Sequence, residues 1–300
     1  MLKYFRLGCG LLFLSGLTAC SSFSQLSQTH PVQPEPQILN IANPIVDTVQ
    51  HQVAIRRISD ILTQEQLNDE QQAELYFRRG LLLDELGLMH LAYFDMMQAL
   101  EHKPDLSEAY NMLGIYYVRQ EEFGRAYESF DSVLELTPDH EYAYFNRAIA
   151  LYYGERAQLS YKDFESFYNI NPTDPYRVIW WYFAEYQESP EMALSRLKQR
   201  AGKLDKNAWG YKIIQLFTGE IQALELQQLA AKLSHDEQGL NEKLCEAYFY
   251  IAKNYQMSNF NEAAEYYFKA ALSTHIYQFV EFRYAQTELK RMAAWQQPAS

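Results

Sequence analysis

The sequence predicts an all-α chain: a helical solenoid of stacked helix pairs with N-terminal and C-terminal capping helices. Three observations carry this. Six sets of residues recur every 34 positions. Glycine and proline are sparse, at 12 and 10 in 300 residues, and no alternating strand-like runs stand out. Of three cysteines, Cys9 and Cys20 fall in or beside an N-terminal leader. Cys245 is left alone, so the fold rests on core packing and not on disulfides.

Residues 1–19 have the organisation of a signal peptide. Lys3 and Arg6 give a basic start, Leu7 to Leu17 is almost wholly apolar, and small residues follow. The apolar run is well short of the roughly 20 residues that span a bilayer. Leu17-Thr18-Ala19-Cys20 resembles the lipobox of bacterial lipoproteins. That resemblance implies acylation of the Cys20 thiol, cleavage before it and anchoring by several acyl chains, each buried methylene contributing about 0.8 kcal/mol. The other reading is a plain signal peptide with an incidental cysteine. In Gram-negative lipoproteins an aspartate after the cysteine favours inner-membrane retention. Ser21 therefore implies the outer membrane, with the protein facing the periplasm.

Residues 20–45 read as a lipidated tether, rich in Ser, Gln and Asn and carrying "HPVQPEPQ" (His30 to Gln37). Ile38 to Ile45 has a second reading, packing on the folded body. Residues 46–72 supply an N-terminal helix around "DTVQHQVAIRRISDIL" (Asp47 to Leu62), either an opening cap or a dimer contact.

Residues 73–174 hold three repeats. Pro104, Pro138 and Pro172 are 34 apart, as are Tyr76, Tyr110 and Tyr144. The same interval relates Gly80, Gly114 and Ala148, then Ala92, Ala126 and Ser160. Met96, Phe130 and Phe164 follow it, and so do Ala99, Val133 and Phe167. The tyrosine and the small residue lie at i, i+4 on one helix face, so a partner helix can approach closely there. The second helix returns a small residue and then a large one, and the proline ends it. This pattern resembles the tetratricopeptide family over Ala73 to His140, with a third copy from Glu141 to about Asp174. Arg79 and Arg147 depart from it, standing where the family prefers leucine. For Arg147 a charge on the groove wall and a snorkelling side chain are both open.

Residues 175–244 are divergent helical repeats. Pro175 to Gln199 reads as two helices, the second started by Ser189-Pro190, and Asp205 to Glu220 and Ala223 to Ser234 continue the period. Residues 245–300 bring back a repeat: Cys245 to Leu272 aligns without gaps on Ser107 to Leu134, with Ile276 in place of the proline. Tyr277 to Met292 reads as a closing helix that covers the last apolar face.

Sites of chemistry are absent from the pattern. There is no Gly-rich phosphate loop and no nucleophile elbow, and His140-Glu141 lacks a second histidine at zinc spacing. No catalytic residue, cofactor or metal is expected. Cys245 reads as a small apolar or partly exposed spectator. The net charge of −12, more negative still without Lys3 and Arg6, disfavours nucleic acid and anionic headgroups. A non-enzymatic binding scaffold is the expectation. Counting from the columns places Phe77, Leu81, Asn111, Ile115, Phe145 and Ile149, with Arg147 beside them, along an inner groove. That groove suits an apolar peptide segment. The competing reading fills it with later helices of this chain or with a second copy.

A closer resemblance rests on the lipobox, the repeat spacing, and "SFDSVLEL" (Ser129 to Leu136), "NRAIALYYG" (Asn146 to Gly154) and "FVEFRYAQTEL" (Phe279 to Leu289). With these the chain resembles the NlpI family of tetratricopeptide-repeat outer-membrane lipoproteins. The resemblance implies a homodimeric adaptor. Its partners would be a periplasmic processing protease of the Prc type and peptidoglycan endopeptidases or hydrolases such as MepS. It further implies effects on their degradation, on cell-wall remodelling and on cell division. The alternative is a structural subunit or pilotin of an outer-membrane assembly or secretion machine.

Overall fold

Some of the helices begin on side-chain caps and others without one. A computed structural model describes residues 35–38, 48–64 and 66–295, all within one unit, Gln33–Ser300. The leader, Cys20 and most of the tether lie outside the described residues. After α1 (Thr48–Gln64) come α2 (Asp69–Glu85) and α3 (Met89–His102), α4 (Ser107–Gln120) and α5 (Phe123–Leu136), and α6 (Glu141–Tyr153) and α7 (Ala157–Ile170). Then follow α8 (Pro175–Glu188), α9 (Pro190–Ala201), α10 (Trp209–Thr218), α11 (Ala223–Lys232), α12 (Glu237–Met257), α13 (Asn261–Leu272) and α14 (Val280–Trp295). Asn68 and Gln71 form a capping box on α2, Asp174 with Pro175 opens α8, and Asp236 caps α12. The described residues include no strand, and none of their helices is long and apolar enough to cross a membrane.

The pairs α2/α3, α4/α5, α6/α7, α8/α9 and α12/α13 pack internally, and α3 meets α4, α5 meets α6 and α7 meets α8. Neighbour-on-neighbour packing of this kind makes a helical solenoid. The repeat columns explain how closely the pairs approach. A Cβ on Gly114 would lie 2.4 Å from the Phe130 ring, and one on Gly80 would lie 2.7 Å from the Met96 methyl. Phe130 and Phe164 are fully buried, each worth about 1.5–3 kcal/mol of burial. Behind them Trp180 lies edge-on to Phe145 and Tyr152 and stacks on Phe249.

The first helices of four pairs, α2, α4, α6 and α12, end at or beside a left-handed residue; α8 does not. Gly87 (φ 75°), Glu121 (φ 62°) and Glu155 (φ 59°) are spaced by 34, and Asn259 (φ 62°) holds the aligned place in the last pair. Only Gly87 is free of the Cβ penalty.

The departures at Arg79 and Arg147 have a local cause. Arg79 makes two bonds to Asp95, both 2.7 Å, and Arg147 makes two to Asp163, at 2.7 and 2.8 Å. In the repeat between them the same two columns hold Leu113 and Ser129. The sequence thus swaps a leucine and a small residue for a forked ion pair. Arg147 therefore neither lines the groove wall nor snorkels to water: it reaches the second helices α5 and α7, also bonding Asp131 at 2.6 Å.

Two elements differ from expectation. Helix α12 starts at Glu237, ahead of the repeat, so Cys245 lies inside it and has no exposed surface. It packs with Ile276 and Phe282, and burial pushes its thiol pKa well up, away from a reactive thiolate. Helix α14 covers more than the last pair. It packs on α13 and α12 and also reaches back to α4.

Candidate functional site: a groove closed by the last helix

The first helices of the pairs turn one face toward α14, and their residues grip it along its length. At its start, Glu281 accepts a bond from Tyr250 at 2.6 Å. Arg283 donates to Asp84, near Arg119 of α4, and Arg119 donates to Gln286 at 2.7 Å. Mid-helix, Tyr284 stacks on Tyr153 with ring centroids 5.0 Å apart. At the far end, Lys290 lies 3.2 Å from Glu121, and Arg291 donates to the Tyr153 carbonyl at 3.0 Å.

The strongest attachment is a buried network. Lys253 and Glu288 are 2.7 Å apart with side chains 3% and 5% exposed. Lys253 also donates to Tyr152 (3.0 Å) and Gln256 (2.7 Å). Glu288 also accepts from Tyr153 (3.0 Å) and Gln256 (2.9 Å). Burial opposes both charges. For Lys253 burial is the largest single influence and lowers the pKa, but Glu288 and Tyr152 together outweigh it, so its pKa is raised. For Glu288 the ammonium and its donors do the same, so its pKa is lowered. Every bond of this set joins α14 to α6 or α12, or braces one that does.

The residues expected along the groove are therefore distributed differently. Phe77 and Leu81 are half-buried at the edge of the main core. Asn111 is half-buried and accepts a bond from Asn146 at 3.0 Å. Ile115 and Phe145 retain 9% and 7% exposure and Ile149 none, so these three pack the interior and offer a ligand no apolar wall. Phe145 stacks on Phe167 at 4.6 Å. Arg147 faces away, toward α5 and α7. The competing reading, a later helix of this chain in the groove, fits α14; what the sequence reading did not identify is its anchors Lys253, Glu288, Glu121 and Asp84. One signal was available: Gly87, Glu121 and Glu155 form a further 34-residue column that the six did not include.

Residues 73–106 and 107–140 each match the family model described as tetratricopeptide repeat. These two segments are tetratricopeptide repeats. Three solved structures match the chain at low identity. YrrB, described as a tetratricopeptide protein with an unusual peptide-binding site, is 15% identical over 73% of this chain and 92% of that one, with a TM-score of 0.39. MamA from Desulfovibrio magneticus RS-1 is 15% identical over 73% and 96%, TM-score 0.41. The C-terminal part of a tetratricopeptide repeat-containing protein from Cytophaga hutchinsonii is 16% identical over 75% and 78%, TM-score 0.44.

Helix α14 takes up part of the inner face, and further open surface lies on α3 to α5. A cleft of about 590 Å³ runs between α3, α4 and α5, floored by Tyr110, Leu113 and Tyr117. It opens at the column where Leu113 and Ser129 replace the arginine–aspartate fork. Arg125 covers the Tyr117 ring at 4.1 Å. Nearby, Leu88, Leu91, Phe94 and Met97 are 40–58% exposed. No group of three or more metal-ligating side chains occurs among the described residues.

Proposed function

We propose that this protein is an outer-membrane lipoprotein adaptor, held at Cys20, that brings a periplasmic processing protease of the Prc type to peptidoglycan endopeptidases of the MepS type. Tetratricopeptide repeats are protein-interaction scaffolds, and the coarse part of the reading rests on them. The observation that carries it is the division of the surface. Part of the inner face is taken by α14, while a cleft and an apolar patch on α3 to α5 stay open. An array that binds two proteins on one body raises their effective concentration and needs no chemistry of its own. The lipobox and the family resemblance supply the membrane, the dimer and the named partners.

The test is purification of the lipidated protein from envelope extract, followed by identification of what comes with it. A processing protease together with cell-wall hydrolases is the expected result. A reconstituted mixture should then degrade the hydrolase faster with the adaptor than without it. Recovery of outer-membrane assembly or secretin components instead would replace the adaptor with a structural subunit or pilotin.

A further inference from the structure

Gln227 on α11 has no exposed surface. A buried primary amide is costly unless its donors are used. Its nitrogen donates to the backbone carbonyl of Gln37 at 2.9 Å and lies 3.4 Å from both the Ala223 carbonyl and the Tyr267 hydroxyl. Tyr267, on α13 and 1% exposed, addresses the same residue from the other side. Its hydroxyl donates to the Gln37 carbonyl at 2.8 Å and accepts the Gln37 N–H at 3.2 Å. Two buried side chains thus satisfy both backbone groups of one residue that lies 190 and 230 positions earlier in the chain.

Neither side chain uses the Gln37 side chain, so the recognition is of extended backbone, as in one rung of strand addition. The flanking residues supply the rest. Pro36 fixes its own φ and biases Glu35 to extended backbone, which lowers the ordering cost. Ile38 packs against the main core.

We propose that Gln227 and Tyr267 form a backbone clamp for an extended Pro-x-aliphatic segment, and that its occupant is this chain's own linker, Pro36 to Ile38. The clamp deepens the adaptor reading and, in its membrane consequence, rests on anchoring at Cys20. It shortens the leash. About 17 residues separate Cys20 from Gln37, at most roughly 60 Å of extended chain, against about 28 residues and roughly 95 Å to the start of α1. It also selects the end of the array held nearest the bilayer: α11 and α13, not α1.

The test has two arms. In the full mature chain carrying Cys20→Ala, hydrogen exchange at the Gln37 amide should be slowed at least about tenfold relative to unstructured chain. Tyr267→Phe and Ile38→Asp should each abolish that protection. Ile38→Asp lies in the linker, outside every helix, so the array should keep its helical circular dichroism. Free exchange at Gln37 in the parent chain, or protection that survives Tyr267→Phe, overturns the clamp. In the second arm the lipidated protein sits on phosphatidylethanolamine–phosphatidylglycerol vesicles with a donor dye at Tyr266→Cys on α13. Energy transfer to a bilayer dye should fall on Ile38→Asp, and equal transfer overturns the shortened leash. Protection at Gln37 in a protein that does not bind vesicles would sink the anchoring reading and leave the clamp standing.

Discussion

Arg147 and Leu113 occupy the same column one repeat apart, and the exchange between them can be measured. Arg147→Leu leaves Asp163, 5% exposed, as an uncompensated buried charge and should cost about 3–5 kcal/mol. Adding Asp163→Ser copies the Leu113 and Ser129 pair and should recover most of that loss. Urea unfolding midpoints of the two singles and the double decide it. Gly114→Ala sets two effects against each other. Alanine gains about 1 kcal/mol of helix propensity, but its Cβ would meet a fully buried Phe130 ring at 2.4 Å. Overpacking costs typically 1–3 kcal/mol, so the clash should win and lower the melting temperature. Glu155 sits in left-handed backbone with its side chain 85% exposed. Glu155→Gly should therefore stabilise by about 1 kcal/mol. The tyrosine–glycine and proline columns were legible at this scale because packing and turn chemistry demand those residues. The arginines were legible only as departures, since an aspartate sixteen positions later is not a repeat feature.

At the scale of elements, two carboxyl groups on α12 and α14 behave in opposite ways. Glu246 on α12 accepts from Tyr176 and from Trp209, the latter at 2.7 Å. Burial, then the charge of Glu281 on α14, pushes it up to about 8, against those donors. Its value in the unfolded chain is about 4.3. The native state therefore keeps a proton that the unfolded chain releases, and stability should fall as pH rises from about 4.5 to 8. Glu246→Gln should flatten that slope, as melting temperatures between pH 5 and 8 will report. Glu288 has the opposite sign. Its folded value is lowered, so its contribution is present above the unfolded value and lost as acid protonates it. Helix boundaries in the repeats were readable from the period and the prolines, but the start of α12 was not. The seat of α14 was not, because its partners on α2, α4 and α6 lie 135 residues and more away in sequence and no local pattern encodes such a pairing.

For the whole molecule, α14 changes how the array should unfold. Open repeat arrays behave as nearest-neighbour chains whose parts melt separately. Here one helix bonds residues of α2, α4, α6 and α12. Truncation before Val280 removes those ties and should split a single calorimetric transition into at least two, with early exchange in α2 to α5. A single transition after truncation would show that α14 adds no coupling. The lipobox makes a separate prediction: Cys20→Ala should move the protein from washed membranes to the soluble fraction. The solenoid was legible in the sequence from six columns. The candidate groove was not, since periodicity marks which face of a helix is inner and says nothing of what lies against it.

The covering of the inner face also has a clock. Tyr153 leaves the ribosome 135 residues before Glu288. At about 5–20 residues per second, that leaves roughly 7–27 seconds in which Tyr153, Trp180 and Lys253 emerge with no helix to close over them. The segment that shields them is also among the last to cross any export channel that threads the chain from its N-terminus. A holding chaperone would therefore find its best substrate in the nearly complete chain, and a ribosome stalled before Val280 would release an apolar groove with nothing to fill it.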